Sequence, residues 1–105
     1  MQSTITARHG EVSDGLRDRA LTVVERLGTI ASRAMEMTVV FDTEGVQQTV
    51  ELRLHVAGGE ILVATGEGAD HRSALDRAEE KLRRQVEKVT DRPRRTRSKQ
   101  SKHPL

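Results

Sequence analysis

With 105 residues, the chain has room for one small domain and a modest core. One Phe, no Tyr and no Trp leave that core to aliphatic side chains, and the lack of Cys excludes a disulfide framework, a thiolate metal site and a cysteine nucleophile. The net charge of +2 conceals a division: residues 92–105 hold six Lys or Arg and no acid, so residues 1–91 hold twelve basic and sixteen acidic residues, a balance of −4.

Residues 2–9, QSTITARH, are Thr-rich and bounded by Gly10, which predicts a first strand because β-branched residues fit a pleated surface. Ser13 then suits a helix N-cap, its hydroxyl accepting from an unpaired first-turn amide. Leu16, Ala20, Val23, Val24 and Leu27 recur at helical spacing and predict a helix over about 14–27, closed by Gly28 in the left-handed conformation. The period then drops to two. Met35, Met37, Val39 and Phe41 alternate with Glu36, Thr38 and Asp42; Val50, Leu52, Leu54 and Val56 alternate with Glu51, Arg53 and His55. The stretch TEG makes the turn between these strands. Gly58-Gly59 supply the positive φ of a tight hairpin leading into a further strand, EILVATG. Asp70 caps a second helix whose apolar stripe is Ala74, Leu75, Ala78, Leu82, Val86 and Val89, with Pro93 at or just beyond its end.

The predicted fold class is α+β: a two-layer β-α-β-β-β-α sandwich, with a four-stranded sheet and two helices on one face. Residues 1–90 form the domain, and 91–105 are expected to be a basic, disordered tail. No apolar run is long enough to span a bilayer and no signal-peptide h-region is present, so a cytoplasmic protein without a membrane partner is expected.

The stretch RAEEKLRRQVEK, residues 77–88, is charged at most positions. At about 100° per residue, Arg77, Lys81, Arg84 and Lys88 share one sector, and Asp76, Glu80 and Glu87 share the next. Four cations at i, i+4, i+7 and i+11 extend over roughly 16 Å at 1.5 Å per residue. Intrahelical ion pairs alone, worth a few tenths of a kcal/mol each, account for such charges when the signs interleave. Aligned like charges instead suit an anionic partner, and a phosphate backbone fits the row through charge-assisted contacts. Without aromatic side chains to stack on bases, recognition would rest on shape and phosphates.

The remaining constellations point away from chemistry. His9, His55, His71 and His103 lack metal-ligand spacing and read as surface residues. Glu79 and Glu80 are adjacent and diverge, so they are no acid–base pair. Ser13 and Ser73 read as helix-start residues. Gly66 and Gly68 precede a helix without the Gly-Lys-Ser/Thr of a phosphate loop. Met35 and Met37 read as core, and Val40 and Leu62 as an outward apolar patch. No cofactor, metal, small-molecule substrate or enzymatic activity is expected.

ITARHGEVSDGLR (5–17) resembles the opening of the short-form ribosome hibernation promoting factors, also called ribosome-associated inhibitors, with their pattern I-T-G-R-H and then V/I-T/S-x-x-L/I-R. ADHRSALDRAEEKLRRQVEK is similar to their last helix at Asp70, Ala74, Leu75, Asp76, Lys81, Leu82, Gln85 and Lys88. The resemblance covers residues 2–90. It implies a β-α-β-β-β-α domain, without catalytic activity, that binds small-subunit ribosomal RNA in the decoding channel during stationary phase or stress. By the same resemblance Arg8, His9, Arg17, Arg26, Arg77, Lys81, Arg84 and Lys88 face RNA; Arg94 and Arg95 join them from the basic tail. Ala7 replaces the pattern's Gly, and the aromatics usual near Arg19 and Arg72 are missing. Long-form members add a C-terminal dimerisation domain for which this chain is too short, so a monomer off the ribosome is expected. The readings left beside this one are a protein-interaction module on the outward sheet face, failing on Val40 or Leu62 substitution, and a general double-stranded-RNA binder, which the extra leading strand disfavours.

Overall fold

The computed structural model describes the backbone of residues 1–102 and the side chains of residues 1–88. Six elements follow one another: β1 (Gln2–Ala7), α1 (Asp14–Ile30), β2 (Ala34–Glu44), β3 (Gln47–Val56), β4 (Ile61–Gly68) and α2 (His71–Lys102). The sheet order is β1-β2-β3-β4; β1 and β2 are parallel and the other two pairs antiparallel. Both helices lie on one face, as the periodicities predict. α1 packs on β1 and β2, and α2 packs on β3 and β4.

The core is the aliphatic one that composition requires. Met37, Val39, Phe41, Val50, Leu52 and Leu54 rise from the sheet to meet Ala20, Val23 and Leu27 of α1 and Ala74, Leu75, Ala78, Leu82 and Val86 of α2. Local chemistry sets the helix starts. Ser13 Oγ accepts from the Leu16 amide (3.2 Å), and Asp70 Oδ1 accepts from the Ser73 amide (2.7 Å). That amide, first among the causes, holds the Asp70 carboxyl below its ordinary pKa. Gly58 and Gly59 take positive φ between β3 and β4, and a two-residue turn at Gly45-Val46 joins β2 to β3.

Several expectations change. α1 continues through Gly28 to Ile30, and Ala31 closes it; Gly28 keeps negative φ, since the helix has two more residues to complete. Met35 is not core but 60% exposed. Ala34 pairs with Val56 and Glu36 with His55, which leaves Met35 as the extra residue of a β-bulge and breaks its phase with Met37. Leu62 is core, 7% exposed, because its partner in register is Leu54; Ile61 (49%) and Val63 (38%) face outward instead. Val40, opposite Glu51, does lie on the outward face, half-buried. α2 also runs past Pro93, where the sequence reading ends it. The expected disorder of 91–105 concerns residues whose side chains, and for 103–105 whose whole structure, lie outside the described residues.

Gly66 has a packing role rather than a phosphate-binding one. A Cβ there would overlap the Ala74 carbonyl oxygen and crowd the Ala78 nitrogen. With no side chain between them, α2 lies directly on β4, and this close approach positions the site described next.

Candidate nucleic-acid interface

α2 runs along the free edge of β4, and three of its side chains reach over that edge. Arg77 Nη1 donates to the Glu67 carbonyl, Lys81 Nζ to the Thr65 carbonyl (2.9 Å) and Gln85 Nε2 to the Val63 carbonyl (2.8 Å). The i, i+4, i+8 spacing of the helix thus meets alternate residues of a strand. A four-residue helical step advances about 6 Å and a two-residue strand step about 6.8 Å, which is why the two rows stay in register over three contacts.

The predicted row of cations is present along this edge. Arg77 and Lys81 are held by neutral carbonyls, which fix their position and leave their charge uncompensated. Arg84 Nη2 lies 3.2 Å from Glu80 Oε2 in an exposed i,i+4 pair, a weak and salt-screened contact. Lys88 is exposed, and among the described residues it has no hydrogen-bond or ion-pair partner. Among the described residues, none of the four is held by a buried carboxylate.

The other candidates are dispersed. Arg17 is exposed on α1. Arg8 and His9 follow β1 at the opposite edge region of the sheet, over an acidic group on its outer face. Arg8 Nη1 is 3.5 Å from Asp42 Oδ2 and Nη2 is 3.9 Å from Glu51 Oε1, while His9 Nδ1 is 3.1 Å from Asp42 Oδ1. The Thr43 amide, followed by His9 and Arg8, holds the Asp42 carboxyl below its ordinary pKa. Arg26 is half-exposed but committed to a partner within the molecule: Nε and Nη2 donate to the two carboxylate oxygens of Glu79 at 2.8 and 2.9 Å. These hydrogen bonds raise the Arg26 pKa above its ordinary value. Arg94 and Arg95 have side chains outside the described residues.

Glu79, only 7% exposed, was not legible as half of a pair in the charge count. The signal was its angle, about 40° from Leu75 and inside the apolar stripe. A carboxylate placed there needs a cation from the facing helix. Arg83 adds a second contact at 3.4 Å, and Arg19 makes a parallel bridge to Asp76 at 2.9 and 3.1 Å. Arg19 occupies the position where the resemblance implies an aromatic, so here the two helices are joined by ion pairs. His71 is also more than a surface residue: its Nε2 lies 2.8 Å from the Asp42 carbonyl oxygen and its ring packs edge-on against Phe41, centroids 5.3 Å apart. Among the described residues no group of three His, Cys, Asp or Glu could hold a metal ion, and no helix is long and apolar enough to cross a membrane.

A two-layer α+β domain with this strand order is found among ribosome-associated proteins. The sequence profile described as "Sigma 54 modulation protein / S30EA ribosomal protein" matches residues 3–94, and the chain belongs to that family. It is 36% identical over 88 residues to the ribosome hibernation promoting factor of Pseudomonas putida, covering 84% of this chain and 85% of that one. It is 36% identical over 91 residues to the factor of the same name from Escherichia coli K12, covering 87% and 95%. Among solved structures, a ribosomal subunit interface protein from Coxiella burnetii superposes with a TM-score of 0.80 at 19% identity, over 87% of this chain and 99% of that one, a likeness of fold. The N-terminal domain of Protein Y from Thermus thermophilus superposes with a TM-score of 0.73 at 26% identity, over 85% and 99%. The family is one of ribosome hibernation factors, not of enzymes.

Proposed function

We propose that this chain is a cytoplasmic translation inhibitor, monomeric off the ribosome, that binds small-subunit ribosomal RNA in the decoding channel and sterically excludes messenger and transfer RNA. The observation that carries the reading is the row Arg77, Lys81, Arg84 and Lys88, aligned beside β4 and not neutralised by buried carboxylates. Family membership supplies the ribosome as the partner, and the row supplies a means of holding its phosphates. Arg17 and the basic residues after Asp91 add positive charge; Arg26 is left out because Glu79 holds it.

Sedimentation with vacant small subunits over a salt series tests this. If about five phosphates are contacted, log affinity falls against log salt with a slope near −3.5 to −4.5. Arg84→Glu with Lys88→Glu, which leaves the β4 edge contacts in place, is expected to remove co-sedimentation at physiological salt. A slope near zero, or full binding by the double variant, sinks the reading. The protein-interaction alternative loses Leu62, which is buried, and keeps the half-buried Val40 with Ile61 and Val63 on the outward sheet face; it predicts binding that survives high salt.

A further inference from the structure

From Val63 to Glu67 the backbone of β4 presents one kind of hydrogen-bonding group at its free edge. The Val56 amide donates to the Glu60 carbonyl (2.9 Å) across the hairpin, and Leu54, Leu52 and Val50 stand opposite Leu62, Ala64 and Gly66. Even-numbered β4 residues therefore turn their amide and carbonyl toward β3. A strand residue points both groups the same way, so Val63, Thr65 and Glu67 turn theirs outward. Their three carbonyls are the ones occupied by Gln85, Lys81 and Arg77. What remains at the edge is three amide donors, with the acceptors masked by side chains of which two are cations.

We propose that the amides of Val63, Thr65 and Glu67, together with Arg77, Lys81 and Lys88, form a donor-lined groove that takes one phosphodiester strand of RNA along the β4 edge. This rests on the function proposed above and adds the main chain of β4 to the binding surface. The chemistry selects the occupant. An incoming β-strand brings its own amides, which need carbonyl acceptors, and here those are taken. A phosphate brings only acceptor oxygens, and the three amides and three cations can all donate to them. Successive outward amides are about 6.8 Å apart; Arg77 and Lys81 follow about 6 Å apart along the helix, and Lys88 lies about 10 Å beyond Lys81. The Glu67 carboxylate stands on the sheet face rather than in the groove, because strand side chains project perpendicular to the sheet.

Residue-resolved hydrogen exchange on the full chain, free and saturated with vacant small ribosomal subunits, tests the proposal. In the free chain Leu62, Ala64 and Gly66 amides are expected to exchange slowly and Val63, Thr65 and Glu67 amides fast. In the complex the latter three are expected to slow by about tenfold or more. If they remain as fast as in the free chain while binding is salt-dependent and needs Arg84 and Lys88, the groove is overturned and the function stands. If the subunits show no salt-dependent binding, the proposed function fails and the groove with it. Thr65→Pro gives a second reading, since proline at an outward edge position removes the donor without breaking the ladder. With the slow amides unchanged, it is expected to weaken binding severalfold at an unaltered salt slope, whereas Lys88→Gln lowers the slope by about one. Unchanged affinity in Thr65→Pro overturns the proposal.

Discussion

Asp70 shows how one side chain sets both a boundary and a pH response. Its carboxylate accepts the Ser73 amide at the start of α2, and that bond lowers its pKa in the folded chain. A carboxyl whose pKa is lower folded than unfolded stabilises above the unfolded value, near 3.9, and that contribution is lost as pH falls through the folded value. Asp42 acts in the same direction. Asp70→Asn retains an acceptor at the cap but cannot titrate. Its melting temperature is expected to stay near that of the parent chain at pH 7 and to fall less steeply below pH 4, followed by circular dichroism; an identical acid limb in both chains contradicts this. The cap was legible because Asp precedes a helical period at the right distance. Leu62 was not. ILVATG carries apolar residues on both faces, so its phase is set only by pairing with Leu54. Met35 failed for the opposite reason: the alternation through Met37 is real, and a bulge that no residue type announces interrupts it.

At the scale of elements, α2 and β4 act as one unit. Gly66 admits the helix to the strand, and Arg77, Lys81 and Gln85 then close the strand's acceptors. Exposed strand edges invite pairing with other chains, and charged side chains over an edge are a common protection. Arg77→Ala with Gln85→Ala reopens the Glu67 and Val63 carbonyls. The double variant is expected to self-associate more strongly than the parent chain as concentration rises, by sedimentation velocity, and equal behaviour of the two would show that the contacts do not guard the edge. The row of cations was readable from helical spacing alone. Its relation to an edge was not, since neither which strand is outermost nor which carbonyls face out is written in α2. The opposing face of the helix shows the same limit: Asp76 reads as part of an acidic rail and Glu79 only as a carboxylate diverging from Glu80, and the facing Arg19 and Arg26 alone reveal them as partners.

Over the whole molecule, charge is arranged against the net balance. The folded residues 1–91 are acidic by four charges, yet several of their carboxylates are answered internally, and the α2 row lies along one edge. Six further cations follow in 92–105. Under the proposed function they add long-range attraction to RNA that salt screens. A chain ending at Asp91 is expected to bind small subunits with a shallower salt slope and lower affinity at low salt, while keeping its melting temperature; an unchanged slope would exclude the tail from binding. The order of elements was legible because each period change is sharp and each junction carries Gly, Ser or Asp.

The two outer strands are treated unequally. Among the described residues no side chain bonds the backbone of β1, whereas β4 has three of its carbonyls closed. A sheet that can be extended from one side only has a ceiling on its assemblies: joining two copies through their first strands uses up the sole receptive border of each. Growth then ends at a closed pair, and the head-to-tail fibre that a sheet with two receptive borders permits is denied by geometry.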